Sequence, residues 1–472
     1  MRVRQRIWPV PALAFLVIWG LTTHGKFSNT GDEPHYLVMA ESLRADGDLD
    51  LANNYAPPSA PSVGDAPAND GHARPDRSGA LRSVHEPGLA VLVLPIYAVA
   101  VRVAEAIPPA RLASWRMGPG LLTYAITSLF MLALSCAALA LLTATLAREL
   151  PIAHARVAVW LAAFSPPLLA NTFLIFPEVP ALLVTCLTLW AARGPGRSRG
   201  WSLAVASAAL GLLPWLHRKF ILFAVGLLFV LYWERRREPG DSRVRRVEAM
   251  VAFTVPVVAF LAWSWLRWGS PLGPLAMDGA PFTLRTFLSG APGLLIDREN
   301  GLLIWAPIYL AALVAWWHTG ARNWTLAIPA ALLFVPSAAH DLWWGGFAPA
   351  ARFLVPLVPF LVVALASQLA RPLYARAVAL LCVPQLVISA IGWQRPRALW
   401  PRGDGHNRVL DAVPGIGPAI QDLLPGFRTG PLDPIAIAIT VGCVTLAGVA
   451  LVWTLRRAPR PPDPLRGVAL HE

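Results

Sequence analysis

The stretch Ser28-Asn29-Thr30-Gly31-Asp32-Glu33-Pro34-His35-Tyr36 sets two adjacent carboxylates, a proline and an imidazole just beyond the first apolar segment. A membrane span would end there and a long polar loop begin. Most of the remaining chain suits hydrocarbon, so chemistry has few places to sit, and this is the richest of them.

Working outward, the composition sets the class. Of 472 residues, 56% are hydrophobic and 14% charged. A soluble chain of this size needs far more charge to cover its surface. Apolar stretches of about 20 residues recur, each long enough to cross roughly 30 Å of hydrocarbon. The expected fold class is an all-α polytopic integral membrane protein with about 11–13 transmembrane helices. The net charge of +13 reads as arginines flanking spans on the cytoplasmic side. A basic face on a soluble module is missing, which argues against a nucleic-acid partner. Cationic loops favour membrane lipids and lipid phosphates instead. Cys136, Cys186, Cys382 and Cys443 all fall in apolar stretches with no metal-ligand spacing, and read as small core residues.

The basic start, Met1 to Arg6, followed by an apolar run, reads as an uncleaved first span at about 7–23 entering from the cytoplasm. A long outer loop, 24–85, follows. Tyr36, Leu37, Ala40 and Leu43 share one helical face. A juxtamembrane helix lying along the surface is expected there, started by Pro34 and capped by Asp32 or Glu33. Residues 53–80 are rich in Pro, Ala, Gly, Asn and Asp and read as irregular loop. Six apolar segments between 87 and 233 would put residues 234–246 outside, yet Glu234-Arg235-Arg236-Arg237 and Arg243-Val244-Arg245-Arg246 are the strongest cytoplasmic signal in the chain. The charges outweigh the count, so one segment, expected within 87–147, is not a plain crossing. After 246, spans alternate with outer loops at 269–300, 339–351 and 394–432. The last span is at about 434–455, and the basic tail 456–472 is cytoplasmic. The domain reading is a core of 1–393, then an outer loop with the last span, then the tail.

Beyond Asp32 and Glu33, candidate polar residues are few. Glu178 lies between two prolines in Phe176-Pro177-Glu178-Val179-Pro180, where a lone carboxylate needs a cavity or a partner. His217-Arg218-Lys219 interrupts the run 200–233 and offers cations for a phosphate, or snorkels at a hairpin. His85-Glu86-Pro87-Gly88 heads the second apolar stretch. His340-Asp341 opens a loop with Trp343 and Trp344, and Arg352 follows. Those tryptophans suit an aromatic belt or a wall for a sugar or polyprenyl chain. Asp297-Arg298-Glu299-Asn300 reads as a local ion pair. All these clusters can share one membrane face, opposite the arginine-rich loops. No glycine loop for phosphate and no nucleotide-sugar fingerprint is present.

Gly31-Asp32-Glu33-Pro34-His35-Tyr36 after the first span resembles the Asp-Glu motif of the GT-C type glycosyltransferases that use polyprenyl-phosphate sugars, among them protein mannosyltransferases and aminoarabinose transferases. His85-Glu86-Pro87-Gly88, Phe176-Pro177-Glu178, Trp343-Trp344-Gly345-Gly346 and Arg352-Phe353-Leu354 also resemble such proteins, and the likeness in layout runs over most of residues 1–370. The resemblance implies an inverting transferase in the cell membrane, working at its outer face with a polyprenyl-phosphate-linked sugar donor. It implies Asp32 as general base, or as the residue orienting the acceptor, with Glu33 its partner. Arg218, Lys219 and Arg352 would hold the phosphate, with His35, Tyr36, His85, Glu86, Glu178, His217, His340 and Asp341 near substrate. No cofactor is implied. A divalent metal is allowed, although no Asp-x-Asp pair follows Asp32. The competing class is a transporter or flippase for a lipid phosphate or other anion, which would place its ionisable residues at mid-membrane between repeats.

Overall fold

A computed structural model describes residues 31–56, 69, 71–193, 200–236, 243–271, 273–274, 282–428 and 432–457. The first span at 7–23 and most of the basic tail lie outside the described residues, as do parts of the 53–80 and 234–246 stretches.

The described residues are mainly helical, with one short two-stranded ribbon. In chain order the elements are α1 (Glu33–Ala45), the strands β1 (Ala73–Pro75) and β2 (Leu81–Ser83), α2 (Gly88–Ala106), α3 (Pro109–Ser114), α4 (Pro119–Leu146), α5 (Ile152–Ala163), α6 (Leu168–Asn171), α7 (Glu178–Ala192), α8 (Gly200–Leu216), α9 (Phe220–Arg235) and α10 (Arg243–Trp268). Then come α11 (Leu284–Ile296), α12 (Leu302–Trp305), α13 (Ile308–His318), α14 (Gly320–Asn323), α15 (Ala327–Ala339), α16 (Val358–Gln368), α17 (Pro372–Gln394), α18 (Arg408–Asp411), α19 (Ile416–Asp422) and α20 (Pro434–Arg457). Among them α2, α4, α10, α17 and α20 are long and apolar enough to cross a membrane, and shorter apolar helices pack between them. The chain is a multi-pass membrane protein.

The helix ends form two polar layers. In one, Arg148 donates to the Trp190 carbonyl at 2.8 Å, Arg193 meets Glu149 at 3.7 Å, and Thr325 donates to Glu234 at 3.1 Å. In the other lie Asp32, Glu86, Glu178, Arg218, Lys219 and Arg352.

The structure locates the irregular segment. Glu86, just before α2, belongs to the second layer through Arg218. Tyr124, in the second turn of α4, belongs to it too, because its hydroxyl donates to Glu33 at 3.1 Å. The chain therefore leaves this layer at Glu86 and is back in it by Tyr124. Between α2 and α4 lie only residues 107–118, with six of them in α3. That is too little chain, partly coiled, to recross a bilayer. The 19 residues of α2 have the length and composition of a span, but the chain on both sides of it contacts the same polar layer. Removing α2 from the crossings puts the start of α4, the start of α7 and the α8–α9 turn in one layer, in agreement with the arginine pattern.

The helix expected after Asp32 is present as α1, but it is not a free surface helix: Glu33 and every residue from His35 to Ser42 are buried. It packs along α2, and Tyr97 of α2 donates to Glu41 at 3.1 Å. A face that looks polar in sequence is instead satisfied by protein. The 269–300 stretch is not all loop either, since it contains α11, started by Thr283, whose side chain accepts the Thr286 N–H.

Candidate functional site

Asp32 occupies the N-cap position of α1, where a side-chain cap was expected, but it makes no capping bond. Its backbone carbonyl accepts from the N–H groups of His35 at 3.1 Å and Tyr36 at 3.3 Å. Pro34 has no N–H to satisfy, so the first turn demands less capping. The carboxylate is left to turn the other way, where it accepts Arg352 Nη1 at 3.1 Å. The preceding Gly31 has φ +56°, and a Cβ there would lie 2.5 Å from the Phe347 carbonyl oxygen. Only glycine lets the turn lie this close to the loop that delivers Arg352.

Arg352 follows that loop, entered through Gly345 and Gly346 and left through Ala351, all with positive φ. Its guanidinium lies 4.2 Å from the Phe176 ring centre, and its Nε is 3.6 Å from Glu178 Oε1. The same Glu178 oxygen accepts Lys219 Nζ at 2.5 Å, and that ammonium sits 4.0 Å over the Phe353 ring. Arg218 is bonded to Glu86. The result is a lattice of alternating charge: Asp32, Arg352, Glu178 and Lys219 in series, with the Glu86–Arg218 pair beside them. Glu86 and Glu178 are each 1% exposed. Buried ions of this kind persist only when paired. Yet Glu178 Oε2 and the Tyr36 hydroxyl are buried without a hydrogen-bond partner, so the lattice has polar capacity to spare.

Burial alone would raise the Asp32 pKa, but Arg352 and, behind it, His85 and His72 overcome this and hold it at about 2. Glu33 points elsewhere. It is wholly buried and accepts the Ile175 N–H at 2.7 Å and the Tyr124 hydroxyl. These bonds fix the start of α1 to the α6–α7 turn and to α4.

Three imidazoles lie on the other side of Asp32. The strands β1 and β2 form a short antiparallel ribbon pairing Ala73 with Ser83. The Val84 N–H continues the ladder to the His72 carbonyl at 2.9 Å. His72 and His85, at the ends of this ribbon, therefore face each other, with His72 Nδ1 at 2.9 Å from His85 Nε2. His35 stacks on His72 with ring centres 3.7 Å apart and bonds the Tyr55 hydroxyl at 2.7 Å. Burial first, then the neighbouring imidazoles, push His35 down to about 3. Burial, with cationic neighbours opposing the pull of Asp32, pushes His85 to about 4. Both rings are neutral at pH 7.

The remaining candidates lie further out. His217 is half-buried, and its Nδ1 accepts the Lys219 N–H at 3.2 Å, which shapes the α8–α9 turn. His340 and Asp341 make their contacts at the α11–α15 corner: His340 packs on Phe282, and Asp341 accepts from Thr286 at 3.2 Å. Asp297 and Glu299 do not pair with Arg298, as a local reading expects. Asp297 accepts the N–H groups of Glu299, Asn300 and Phe427, and Glu299 those of Gly403 and Gly405. They pin the 394–432 segment over the helices. Sequence reasoning missed His72, Tyr124, Tyr55 and Phe353. For His72 a signal existed: Asp76-Arg77-Ser78-Gly79 is a turn sequence that folds the flanks of His72 and His85 together.

No family model matches the sequence, and no curated protein matches it. Solved structures similar to it include the following two. The oligosaccharyltransferase of Archaeoglobus fulgidus, in complex with Zn and sulfate, is 13% identical over 85% of this chain and 56% of its own, with a TM-score of 0.43. ArnT from Cupriavidus metallidurans, in the apo state, is 14% identical over 94% of this chain and 76% of its own, with a TM-score of 0.45. The chain thus spans little more than half the length of the first. The likeness is one of layout alone.

Proposed function

We propose that this protein is a membrane glycosyltransferase. It moves a hexosyl or pentosyl group from a polyprenyl-phosphate donor to a lipid, glycan or protein acceptor, at the outer face of the cell membrane and with inversion. The observation that carries this reading is the lattice itself: a candidate base, Asp32, bonded to one of three cations suited to a phosphate. The Asp-Glu resemblance supports it. So does the position of the lattice at helix ends, since a transporter calls for ionisable groups at mid-membrane.

The chemistry follows from the pairing. While Arg352 holds it, Asp32 is a weak base. A donor phosphate competes with Asp32 and Glu178 for Arg352 and Lys219, through charge-assisted bonds. As Arg352 turns to the phosphate, the carboxylate loses its partner and gains basicity. The acceptor oxygen then attacks C1 of the sugar from the face opposite the phosphate. The bond from C1 to the phosphate oxygen breaks, polyprenyl phosphate leaves with the electron pair, and the acceptor proton passes to Asp32. Cations at the leaving phosphate stabilise its charge in a site with little water. Glu33, locked by Tyr124 and Ile175, keeps α1 and hence Asp32 in place.

The test is transfer from polyprenyl-phosphate sugars by the purified chain. Asp32→Asn is expected to abolish turnover while leaving donor binding within a few-fold. Turnover near that of the unchanged protein would remove Asp32 as base.

A further inference from the structure

We infer that Asp32, His72 and His85 form a binding site for one divalent transition-metal ion of the zinc class. One ligand atom from each lies within 4.8 Å of the others. This inference does not rest on sugar transfer, although it shares Asp32 with that reading.

The residues come from distant points of the chain, and the fold brings them together by a dedicated device. The ribbon joins His72 to His85 and is itself anchored. Asp50 accepts the Leu81 N–H at 3.1 Å, Asn69 accepts the Ala73 N–H at 2.6 Å, and Asp76 takes Arg82 at 3.5 Å and Arg267 at 3.4 Å. His72 Nδ1 and His85 Nε2 point at each other at 2.9 Å, so without an ion one proton must lie between them. A zinc ion has bonds of about 2.0–2.2 Å to such ligands, which puts tetrahedral ligand atoms about 3.4 Å apart. Parting the rings by about half an ångström would make room for it.

The donor set selects the class of ion. Two imidazoles and a carboxylate suit zinc and its neighbours, whereas magnesium and calcium call for oxygen ligands throughout. An outer layer is also present. His35 stacks on the His72 ring and is itself held by Tyr55. Supports of this kind orient metal-binding imidazoles and carboxylates. Three protein ligands leave a fourth position open for water or an oxygen of a bound molecule.

The experiment uses the full chain in detergent, free of any histidine tag and stripped with EDTA, titrated calorimetrically with Zn²⁺ alone. One equivalent is expected to bind. His72→Ala and His85→Ala are each expected to weaken binding by at least about 100-fold, more than loss of an outer-layer support would. His406→Ala, at an exposed ring remote from the ribbon, should change nothing. Because a ribbon variant can misfold, Co²⁺ is loaded into the unsubstituted chain as a second measurement. Intense visible bands of a four- or five-coordinate site are expected, bleached by one equivalent of Zn²⁺. Less than one equivalent of Zn²⁺, binding unchanged in both histidine variants, or the weak spectrum of aqueous Co²⁺ would each overturn the site. No sugar enters these assays, so their outcome is separate from that of the transfer assay.

Discussion

The Asp32–Arg352 pair can be measured directly. Asp32 falls from the ordinary 3.8 to about 2, and one pKa unit corresponds to about 1.4 kcal/mol, so the native surroundings favour the carboxylate by roughly 2–3 kcal/mol. Its side chain is 27% exposed, so solvent screens part of this, and the expected coupling to Arg352 is about 2 kcal/mol. The perturbation is a double-mutant cycle of Arg352→Gln, Asp32→Asn and the double variant. The assay is equilibrium unfolding in mixed micelles between pH 2 and pH 7. A folded-state pKa below the unfolded one gives stability that is present above about pH 4 and is lost as pH falls through about 2. The cycle should therefore show its full coupling at pH 6 and little at pH 2. Arg352→Gln alone should be worse than the double variant at pH 6, because it leaves a half-buried carboxylate without its cation. A coupling below about 0.5 kcal/mol at pH 6, or one of equal size at pH 2, would refute the reasoning. It would also remove the idea that a phosphate, by taking Arg352, switches Asp32 into a base.

Other consequences can be checked more simply. Lys219→Met leaves Glu178 without the 2.5 Å partner and should weaken binding of polyprenyl phosphate by at least tenfold, read by tryptophan quenching. Tyr124→Phe removes one hydrogen bond to buried Glu33 and should cost about 1–2 kcal/mol of stability in the same unfolding assay, with donor binding unchanged. Gly31→Ala meets both a positive φ and the Phe347 carbonyl and should reduce folded yield, measured by size-exclusion chromatography, whereas Gly118→Ala, which meets nothing within 4 Å, should not. Cysteines placed at exposed Arg116 and Phe347 should be labelled by an impermeant reagent from the same side of the membrane, and one at Pro151 from the other. Labelling of positions 116 and 347 from opposite sides would mean that α2 crosses.

The helices were legible because a bilayer imposes one rule, that apolar stretches of fixed length carry their own hydrogen bonds. Boundaries such as Gly200–Leu216 and Pro434–Arg457 accordingly fall within a few residues of the apolar runs. Length and hydropathy do not encode orientation, so α2 looks like a span although the chain before and after it contacts one layer. Only the arginine pattern carried that information. The burial of α1 was hidden for a related reason. Glu33, His35 and Glu41 mark a solvated face in sequence, but each finds its partner far along the chain, in Tyr124, Tyr55 and Tyr97. Such pairings at separations of 20 to 91 residues leave no local trace. The ribbon did leave one, in its turn sequence, but strands of three residues are too short for alternation to register.

The candidate site shows the same division more sharply. A cap and a base make identical demands on sequence at Asp32: a short carboxylate just ahead of a helix that starts with proline. They differ only in where the side chain turns, and that is decided by what lies across the gap. The residue across the gap is Arg352, 320 positions away, delivered by a loop whose positive-φ residues bend it toward Gly31. Asp32 is thus divided between two sets of partners, the cations of the Arg352–Lys219 lattice on one side and the His72–His85 pair on the other. A carboxylate has two oxygens, and here each side can claim one. A metal on the histidine side would hold its basicity down, whereas a phosphate on the cation side, by taking Arg352, would release it. Zn²⁺ binding should therefore tighten when Arg352 is replaced by glutamine, because the freed carboxylate is a better ligand. Affinity unchanged or weakened in that variant would show that the two sides do not share Asp32.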